Sequence, residues 1–396
     1  MANRRNDHHR WPVPRGPQVH DFQTLIDMAL RSNLILAGLS AIVAIAILET
    51  ALRLLTPYPI TEDSNKSPHP KLGYVLSSDF PDIDVAGFRN PSQRLADAHI
   101  AVIGDSHTYG ENVETENNYP SILAELTDQP VYNLGVSSYG IYQYHVLLGE
   151  LLDSPVDTVV VSLFTYNDLA LYCAATTTAF WQQEAQTLGI ELPDCRQDDL
   201  RGRLATSSPG NWLRSTATWQ LLWTALRGAS GNLDKSMGFT VISSNPEKMM
   251  SQKLIDLVAE RGTLTRPDIS LNFANSKIFF SEARKKYAAE NKQLMFVLIP
   301  SSLLAIMTRL TEKGATIDPS FATTVNELQT IRKRYIEFFE REGIDYVDAL
   351  PFVTAAMRAT AKDQQQFYWG SHPKRAGYEA YARAVASGLN NRTGDQ

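Results

Sequence analysis

The sequence predicts an α/β fold built around a mostly parallel sheet, and two features of the 396-residue chain point to it. Short, continuously apolar runs recur from about residue 96 onward, such as DTVVVSLF at 157–164 and LMFVLI at 294–299. Amphipathic helical patterns lie between these runs. Strands that are apolar throughout are typical of parallel sheets with helices on both faces. The alternation therefore predicts an open α/β sheet, whose ligands bind at the carboxyl ends of the strands.

Individual strands and helices follow from the same patterns. The helix with the clearest apolar stripe places Phe321, Val325, Leu328 and further apolar residues at three- and four-residue steps. Gly343 follows it at a position typical of a helix end. A final helix is predicted over 373–389, because the stretch opens with proline. The predicted strands are 99–103, 131–134, 157–164, 294–299 and 345–350.

A long insertion separates the third strand from the fourth. Residues 170–276 exceed any connection that a compact fold needs, so they predict a cap or inserted subdomain. Cys173 and Cys195 lie in it and either form a disulfide, in an oxidising compartment, or remain two thiols. Its tryptophans either form the insertion's own core or line a substrate groove; they are Trp181, Trp212, Trp219 and Trp223.

The amino-terminal region contains an uncharged apolar run at 34–48. Fifteen helical residues span only about 22 Å, short of a hydrocarbon core of roughly 30 Å. The run extends into ETALRLL, where Glu49 and Arg53 lie four residues apart and near the interface. Residues 31–56 therefore predict a transmembrane anchor. A cleaved signal peptide and a buried core helix are the alternatives.

Charge around this segment predicts its orientation. Five arginines precede the apolar run, whereas only Lys66 and Lys71 follow it closely. Positive residues favour the cytoplasmic side, so residues 1–30 are predicted to be a disordered cytoplasmic tail. The catalytic region then lies outside the inner membrane, in the periplasm. The arginines are Arg4, Arg5, Arg10, Arg15 and Arg31.

Composition excludes several classes of function. The net charge of −6 argues against a nucleic-acid partner, since such proteins usually carry a basic face. Two cysteines are too few for a structural zinc site, and the acidic and histidine residues show no metal-ligand spacing. A dinucleotide fingerprint is absent from the sequence as well. The sequence therefore predicts neither a metal nor a cofactor, and it leaves the oligomeric state open.

A serine follows the first predicted strand in AVIGDSHTYGENV. The tight Gly-Asp-Ser turn of Asp105 and Ser106 leads into a short helix, which exposes the hydroxyl at the carboxyl edge of the sheet. Nearby backbone N–H groups remain able to bind an anion. Taken alone, this pattern is a weak signal, and a serine that caps a helix is the more common explanation.

Three further residues change that interpretation. Gly135 follows the second strand in VYNLGVSSYG, where its N–H can approach a substrate oxygen closely. Asn167 ends the third strand in SLFTYNDL, and an asparagine amide is a suitable oxyanion donor. His372 precedes the last helix in FYWGSHPKRAGYEAYA and suits a general base. Each has a structural explanation alone, but together they predict a nucleophile, oxyanion donors and a base.

These segments resemble conserved blocks I, II, III and V of the SGNH (GDSL-type) hydrolases, over about residues 84–389. DVAGFRNP resembles the lead-in of membrane-anchored bacterial members. The resemblance implies a three-layer α/β/α fold with a five-stranded parallel, flavodoxin-like sheet. It implies Ser106 as nucleophile and His372 as its base. Donors to the oxyanion would be the Ser106 N–H, the Gly135 N–H and the Asn167 side chain.

The sequence departs from that family at the orienting acid. Trp369 and Gly370 stand where the family usually has an aspartate before the block V histidine. A Ser–His dyad held by a backbone carbonyl is therefore expected, or a distant acid such as Asp363 folds in. Asp105 is a further supporting candidate beside the nucleophile. Thr165 replaces the glycine of block III.

The expected function is that of a serine esterase that removes an acyl group, an acetyl group first, from a cell-envelope carbohydrate. One alternative is an O-acetyltransferase that acts on an envelope or exported polysaccharide. Another is an inactive carbohydrate-binding module on the same fold. The predicted organisation is a tail at 1–30, an anchor at 31–56, a linker at 57–95, a hydrolase domain at 96–169 and 277–392, and a cap at 170–276.

Overall fold

The computed structural model describes residues 19–55, 66–195, 266–312, 314, 319–359, 367–369 and 372–393. The predicted insertion is thus described only at its two ends, 170–195 and 266–276. Trp212, Trp219 and Trp223 lie outside the described residues, and so does Asp363.

A 37-residue helix, α1 (Val19–Leu55), carries the apolar run. Its segment Leu30–Leu48 has a mean hydropathy of 1.9, and none of this segment is buried. In the described part of the chain, α1 is the one helix that is long and apolar enough to cross a membrane. That exposure argues against a core helix. Residues 19–30 are helical rather than disordered, which corrects the predicted tail. The physical reason is that Phe22, Leu25 and Ile26 continue the apolar pattern at helical spacing.

An antiparallel hairpin of β1 (Lys66–His69) and β2 (Gly73–Leu76) precedes the main sheet. The main sheet has five parallel strands in the order β4-β3-β5-β6-β7, as a flavodoxin-like sheet requires. All five strands coincide with predicted strands, which confirms the predicted fold class. They are β3 (Ile100–Gly104), β4 (Val131–Gly135), β5 (Thr158–Phe164), β6 (Gln293–Ile299) and β7 (Asp345–Asp348).

Helices connect these strands, and the last strand is followed by a two-stranded ribbon of β8 (Tyr368–Trp369) and β9 (His372–Pro373). The final helix begins at Arg375 rather than Pro373, because His372 and Pro373 pair with β8. The remaining helices are α2 (Ser106–Tyr109), α3 (Tyr119–Thr127), α4 (Ile141–Leu152), α5 (Cys173–Thr176), α6 (Ala179–Leu188), α7 (Pro267–Ala289), α8 (Ser302–Glu312), α9 (Pro319–Glu342), α10 (Leu350–Ala359) and α11 (Arg375–Thr393), with 3₁₀ turns at Leu95–Asp97 and Thr115–Asn117.

Two hydrophobic cores lie on opposite faces of the sheet. Successive strand residues alternate between them: Ala101 and Ile103 point into one core, and Ile100 and Val102 into the other. Helices α4, α7 and α9 cover the first face, and α3, α8, α10 and α11 cover the second. The result is the predicted three-layer α/β/α arrangement. Strands β3, β5 and β6 read as continuous apolar runs because both of their faces are covered.

The described ends of the insertion join the first core. Trp181 is fully buried against Tyr142 and Phe279, which favours a structural role for this tryptophan. Cys173 and Cys195 form a disulfide with a Cα–Cα distance of 5.5 Å. This bridge fastens α5 to the segment after α6. Helix α7 runs through the predicted domain boundary at 276/277 without a break.

Candidate active site

The nucleophile candidate lies in a turn between β3 and α2. A Cβ atom on Gly104 would collide with the side chain of Thr108, so only glycine lets the helix begin this close to the strand. Asp105 is the N-cap of α2, and its Oδ1 accepts the His107 N–H at 2.9 Å. The turn places Ser106 at the carboxyl edge of the sheet, as the sequence predicts.

The structure brings Ser106 and His372 together although 266 residues separate them. The Nε2 atom of His372 lies 2.8 Å from Ser106 Oγ, within hydrogen-bonding distance. Residues of the β8–β9 ribbon hold the histidine in place, and the Lys374 N–H donates to the Phe367 carbonyl at 2.8 Å just beyond it. A serine and a histidine in this relation are able to act as nucleophile and base.

A second histidine, His107, supports the imidazole of His372. It is fully buried, and its ring centroid lies 4.8 Å from that of His372 and 4.0 Å from that of Phe164. Burial holds the pKa of His107 well below its usual range, and the charge of His372 acts in the same direction. His107 is therefore neutral, and its ring packs against that of His372 at an interplanar angle of 38°.

The sheet order places the three expected oxyanion donors at neighbouring strand ends. Strand β3 lies between β4 and β5, with Gly104 opposite Gly135 and Ile103 opposite Val161. In the first turn of α2, Asp105 accepts the N–H groups of the three residues after Ser106. The Ser106 N–H has no hydrogen-bond partner among the described residues, which leaves it able to bind a substrate oxygen.

Gly135 differs from the expectation. Its N–H donates to Asn133 Oδ1 at 2.8 Å, so this amide is already engaged. A Cβ at this position would collide with the backbone of Thr108 and Tyr109. The glycine is therefore required for the close approach of α2 to β4, not as an unoccupied donor. Asn167 is half-buried after β5, and its Oδ1 is buried without a partner in the described part of the chain.

Glu111 is the residue that sequence reasoning missed. Its Oε2 lies 3.0 Å from His372 Nε2, and its Oε1 is within 3.4 Å of the Ser137 hydroxyl. Helix α2 ends after one turn because Gly110 has a φ of 85°, and the chain then reverses toward the nucleophile. A glycine four residues after the serine, followed at once by a carboxylate, was the available signal.

The loop that carries Glu111 is held in place by residues 87–90, here called the GFRN segment. Arg89 is buried and donates to the carbonyls of Gly110 at 2.9 Å and Val113 at 3.1 Å, while Asp82 neutralises it at 2.8 Å. From α11, the Tyr378 hydroxyl donates to the Glu111 carbonyl at 2.9 Å. The backbone of Glu111 is therefore held from two sides.

The neighbouring Asn90 fixes the segment to the sheet. Its side chain accepts the Asn133 N–H at 2.8 Å and donates to the Asn133 carbonyl at 2.9 Å, so it continues the hydrogen-bonding pattern at the outer edge of β4. This edge would otherwise present unpaired backbone groups. The lead-in segment thus connects the sheet edge to the loop that carries Glu111.

Burial and charge act differently on the two carboxyl groups. Burial raises the pKa of Asp105 to about 6, and Glu111 adds to this effect, against the opposing hydrogen bond from the His107 N–H. Burial would also raise the pKa of Glu111, but the hydrogen bond and charge of His372 outweigh it and lower that pKa overall. Glu111 is therefore ionised at neutral pH.

The group that orients His372 on its far side stays a prediction. Trp369 lies in β8 and contributes its backbone to the ribbon that contains His372. The sequence leaves two alternatives for this group, a backbone carbonyl before His372 or the carboxylate of Asp363. Gly370 and Asp363 both lie outside the described residues. Among the residues that the structure describes, His, Cys, Asp and Glu side chains form no group able to hold a metal ion.

Comparison with known proteins gives a family match and several distant structures. The family model described as "Domain of unknown function (DUF6473)" matches residues 82–147, a segment that contains Arg89, Ser106 and Glu111. No curated protein matches the chain.

The chain resembles GDSL-type lipolytic proteins. A GDSL-like lipase from Bacteroides thetaiotaomicron is 10% identical with a TM-score of 0.36, over 74% of this chain and 88% of that chain. A member of the lipolytic protein G-D-S-L family from Veillonella parvula is 11% identical with a TM-score of 0.34, over 73% and 96%. An alpha/beta hydrolase enzyme from the metagenome of Lake Arreo, Spain, is 13% identical with a TM-score of 0.35, over 75% and 97%.

Substitutions at Asp105, the N-cap of α2, should separate two effects: the contribution of the cap to stability, and the contribution of the carboxyl group to the pH dependence of stability. Asp105→Ala removes the cap and should lower the free energy of unfolding by about 1 kcal/mol, whereas Asp105→Asn keeps a capping oxygen. The folded state holds its Asp105 proton up to a pH of about 6, against an ordinary pKa of 3.8. Because the folded state then binds more protons than the unfolded state, wild-type stability falls as pH rises through that window.

Thermal melting of the three proteins between pH 4 and pH 7 measures both effects. Asp105→Asn should remove part of the pH dependence while it keeps the fold. An Asp105→Asn protein that loses as much stability as Asp105→Ala would show that the carboxylate charge, not the cap, matters at this position.

Proposed function

We propose that this protein is a serine ester hydrolase of the SGNH type, with Ser106 as nucleophile and His372 as general base. The observation that supports this proposal most is the 2.8 Å contact between Ser106 Oγ and His372 Nε2 at the carboxyl end of a parallel sheet. In the first half-reaction, Ser106 Oγ bonds to the ester carbonyl carbon while its proton moves to Nε2.

The tetrahedral intermediate carries a negative oxygen. The Ser106 N–H supports it from the start of α2, and the Asn167 amide is a second candidate donor from the end of β5. Each such donor is typically worth about 2.7–4 kcal/mol of transition-state stabilisation. The C–O bond to the alcohol then breaks, and the alcohol takes the proton from Nε2. Water repeats the sequence on the acyl-enzyme and releases the acid.

The proposed substrate is an acetyl or other small acyl ester of a carbohydrate. A polar cleft of about 690 Å³ opens along the loop on either side of Glu111, where few apolar side chains are available for a lipid chain. Hydroxyl-rich ligands suit walls of charged and amide side chains beside one aromatic ring. The lining includes Arg89, Tyr109, Asn112, Glu114, Asn117 and Arg375.

The same site supports an O-acetyltransferase if a sugar hydroxyl, rather than water, attacks the acyl-enzyme. This second candidate is favoured by the size of the cleft, which exceeds what a small acyl group needs. An inactive carbohydrate-binding module is the third candidate, and the contact between Ser106 and His372 argues against it.

Hydrolysis of p-nitrophenyl acetate by the full-length chain in detergent tests the proposed chemistry. Ser106→Ala and His372→Ala should each lower kcat by at least about a hundredfold while thermal melting stays unchanged, because each removes one half of the nucleophile pair. Exposed Glu116→Gln is a matched surface control. Wild-type turnover in the Ser106→Ala protein would contradict the nucleophile assignment.

The cleft predicts a different response to large and small substrates. Arg375 lies at the cleft and hydrogen-bonds Asn117. Arg375→Gln should therefore raise KM for an O-acetylated oligosaccharide several-fold, with little effect on p-nitrophenyl acetate, which is too small to span the cleft.

Mass spectrometry of the products, with and without an added unacetylated oligosaccharide, separates the candidates. Free acetate indicates a hydrolase, an acetylated acceptor indicates a transferase, and neither product indicates a binding module. Equal effects of Arg375→Gln on both substrates would contradict the carbohydrate assignment of the cleft.

We further propose that α1 anchors the chain in the inner membrane with the catalytic region in the periplasm. The exposed apolar segment Leu30–Leu48 and the disulfide between Cys173 and Cys195 support this topology.

The full-length chain should remain with membranes after an alkaline wash, and deletion of residues 1–56 should release it. Its two thiols should resist alkylation until a reductant is added. A soluble chain of uncleaved mass, or two freely alkylated thiols, would contradict the proposed topology.

A further inference from the structure

One nitrogen of His372 has two partners. Its Nε2 lies 2.8 Å from Ser106 Oγ and 3.0 Å from Glu111 Oε2. The ring nitrogen of a neutral base has a single lone pair, which accepts the serine hydroxyl. Glu111 Oε2 is also an acceptor, so it forms no hydrogen bond with an unprotonated Nε2. Both Ser106 Oγ and Glu111 Oε2 accept a hydrogen bond from Nε2 only when this nitrogen carries a proton.

Glu111 is unable to supply that proton itself. Its pKa is lowered by the hydrogen bond and charge of His372 in spite of burial, so the side chain is an acceptor at neutral pH. The contact between Glu111 and His372 becomes an attraction between a carboxylate and an imidazolium once Nε2 takes up the proton of Ser106. This imidazolium is the species that forms when Ser106 gives up its proton.

We propose that Glu111 is the charge partner of His372, and that it stabilises the imidazolium which forms as Ser106 attacks the ester. This role deepens the proposed function and rests on it. The family's usual aspartate before His372 stabilises the charged imidazole, and this sequence has Trp369 and Gly370 there instead. Glu111 would supply the same electrostatic stabilisation from the Nε2 side of the ring. Because the attraction is strongest when the imidazole is charged, it lowers the barrier more than it strengthens substrate binding.

The proton balance of the step is simple. The Ser106 O–H bond breaks, its proton bonds to His372 Nε2, and Glu111 accepts a hydrogen bond from that new N–H. When the tetrahedral intermediate collapses, the N–H breaks and the leaving alcohol oxygen takes the proton. Glu111 begins and ends the cycle as a carboxylate and forms no covalent bond.

The position of Glu111 is fixed well enough for this role. Its own N–H donates to the Ser106 carbonyl at 3.2 Å, which closes the turn on the nucleophile. Arg89 and Tyr378 hold the backbone on either side through the carbonyl contacts described above. A preorganised charge needs little rearrangement when the reaction charge develops, which is the condition for effective electrostatic catalysis.

Other titratable groups also face this pair. Asp105 and His107 come from α2, and His107 is neutral because it is buried. Lys66 of β1 attracts the Glu111 carboxylate, and Ser137 is within hydrogen-bonding distance of it. Tyr378 and Tyr381 of α11 are protonated, since burial raises the pKa of each well above its ordinary value. Among the described residues around His372, Glu111 brings its carboxylate to 3.0 Å from Nε2.

Glu111→Gln tests the proposal because it keeps the shape of the side chain and removes its charge. With p-nitrophenyl acetate and the full-length chain in detergent, kcat should fall at least about tenfold while KM changes little. The acidic limb of the pH–rate profile should move to lower pH, since the charged imidazole loses its stabilising partner. Glu111→Asp should recover part of the rate. Glu116→Gln, on an exposed residue of the same loop, should leave rate and profile unchanged.

Two results would overturn the proposal. One is Glu111→Gln turnover equal to or faster than wild type, which would show that the carboxylate does not assist the reaction. The other is a slower Glu111→Gln enzyme whose pH–rate profile is unmoved, which indicates a structural role only. In both cases an inactive Ser106→Ala protein leaves the proposed esterase function standing, whereas an active one overturns that function instead.

Discussion

The contact between Ser106 and His372 is the interaction on which the candidate site depends. It joins the end of β3 to the ribbon before the last helix, across 266 residues of chain. Neither partner is chemically unusual alone. Their relation exists because β3 lies inside a sheet covered on both faces, while the β8–β9 ribbon that carries His372 leads directly into α11, which packs against the second face. The site is thus a property of the fold.

The surroundings of that contact are charged and largely buried. Asp105 lies under the serine, Glu111 lies beside the imidazole, and Arg89 is buried beneath the connecting loop. Burial of an unpaired charge is costly, and here each group has a defined partner: a helix N-terminus for Asp105, an imidazole for Glu111, and Asp82 with backbone carbonyls for Arg89. The GFRN segment therefore contributes to the site although it touches neither Ser106 nor His372.

The sequence predicts the parts of this arrangement that depend on local pattern. Strands β3, β5 and β6 appear as apolar runs because they are buried on both faces. Ser106 and His372 stand out because a strand end or a helix start lies beside each. The position of Glu111 beside His372 is not readable from the sequence, because it depends on how the chain reverses after Gly110. The sequence predicts an open N–H at Gly135, but the Asn133 side chain accepts that N–H, a contact that no local pattern reveals.

The most direct measurement of the central claim is covalent labelling of the full-length chain with a fluorophosphonate, followed by peptide mass spectrometry. Attack by an activated serine forms an oxygen–phosphorus bond and expels fluoride, so labelling reports the nucleophile without requiring knowledge of the natural ester. The structure predicts a single adduct on Ser106, formed at least about a hundredfold more slowly in His372→Ala. An adduct on another residue, or equal labelling rates in wild type and His372→Ala, would contradict the account.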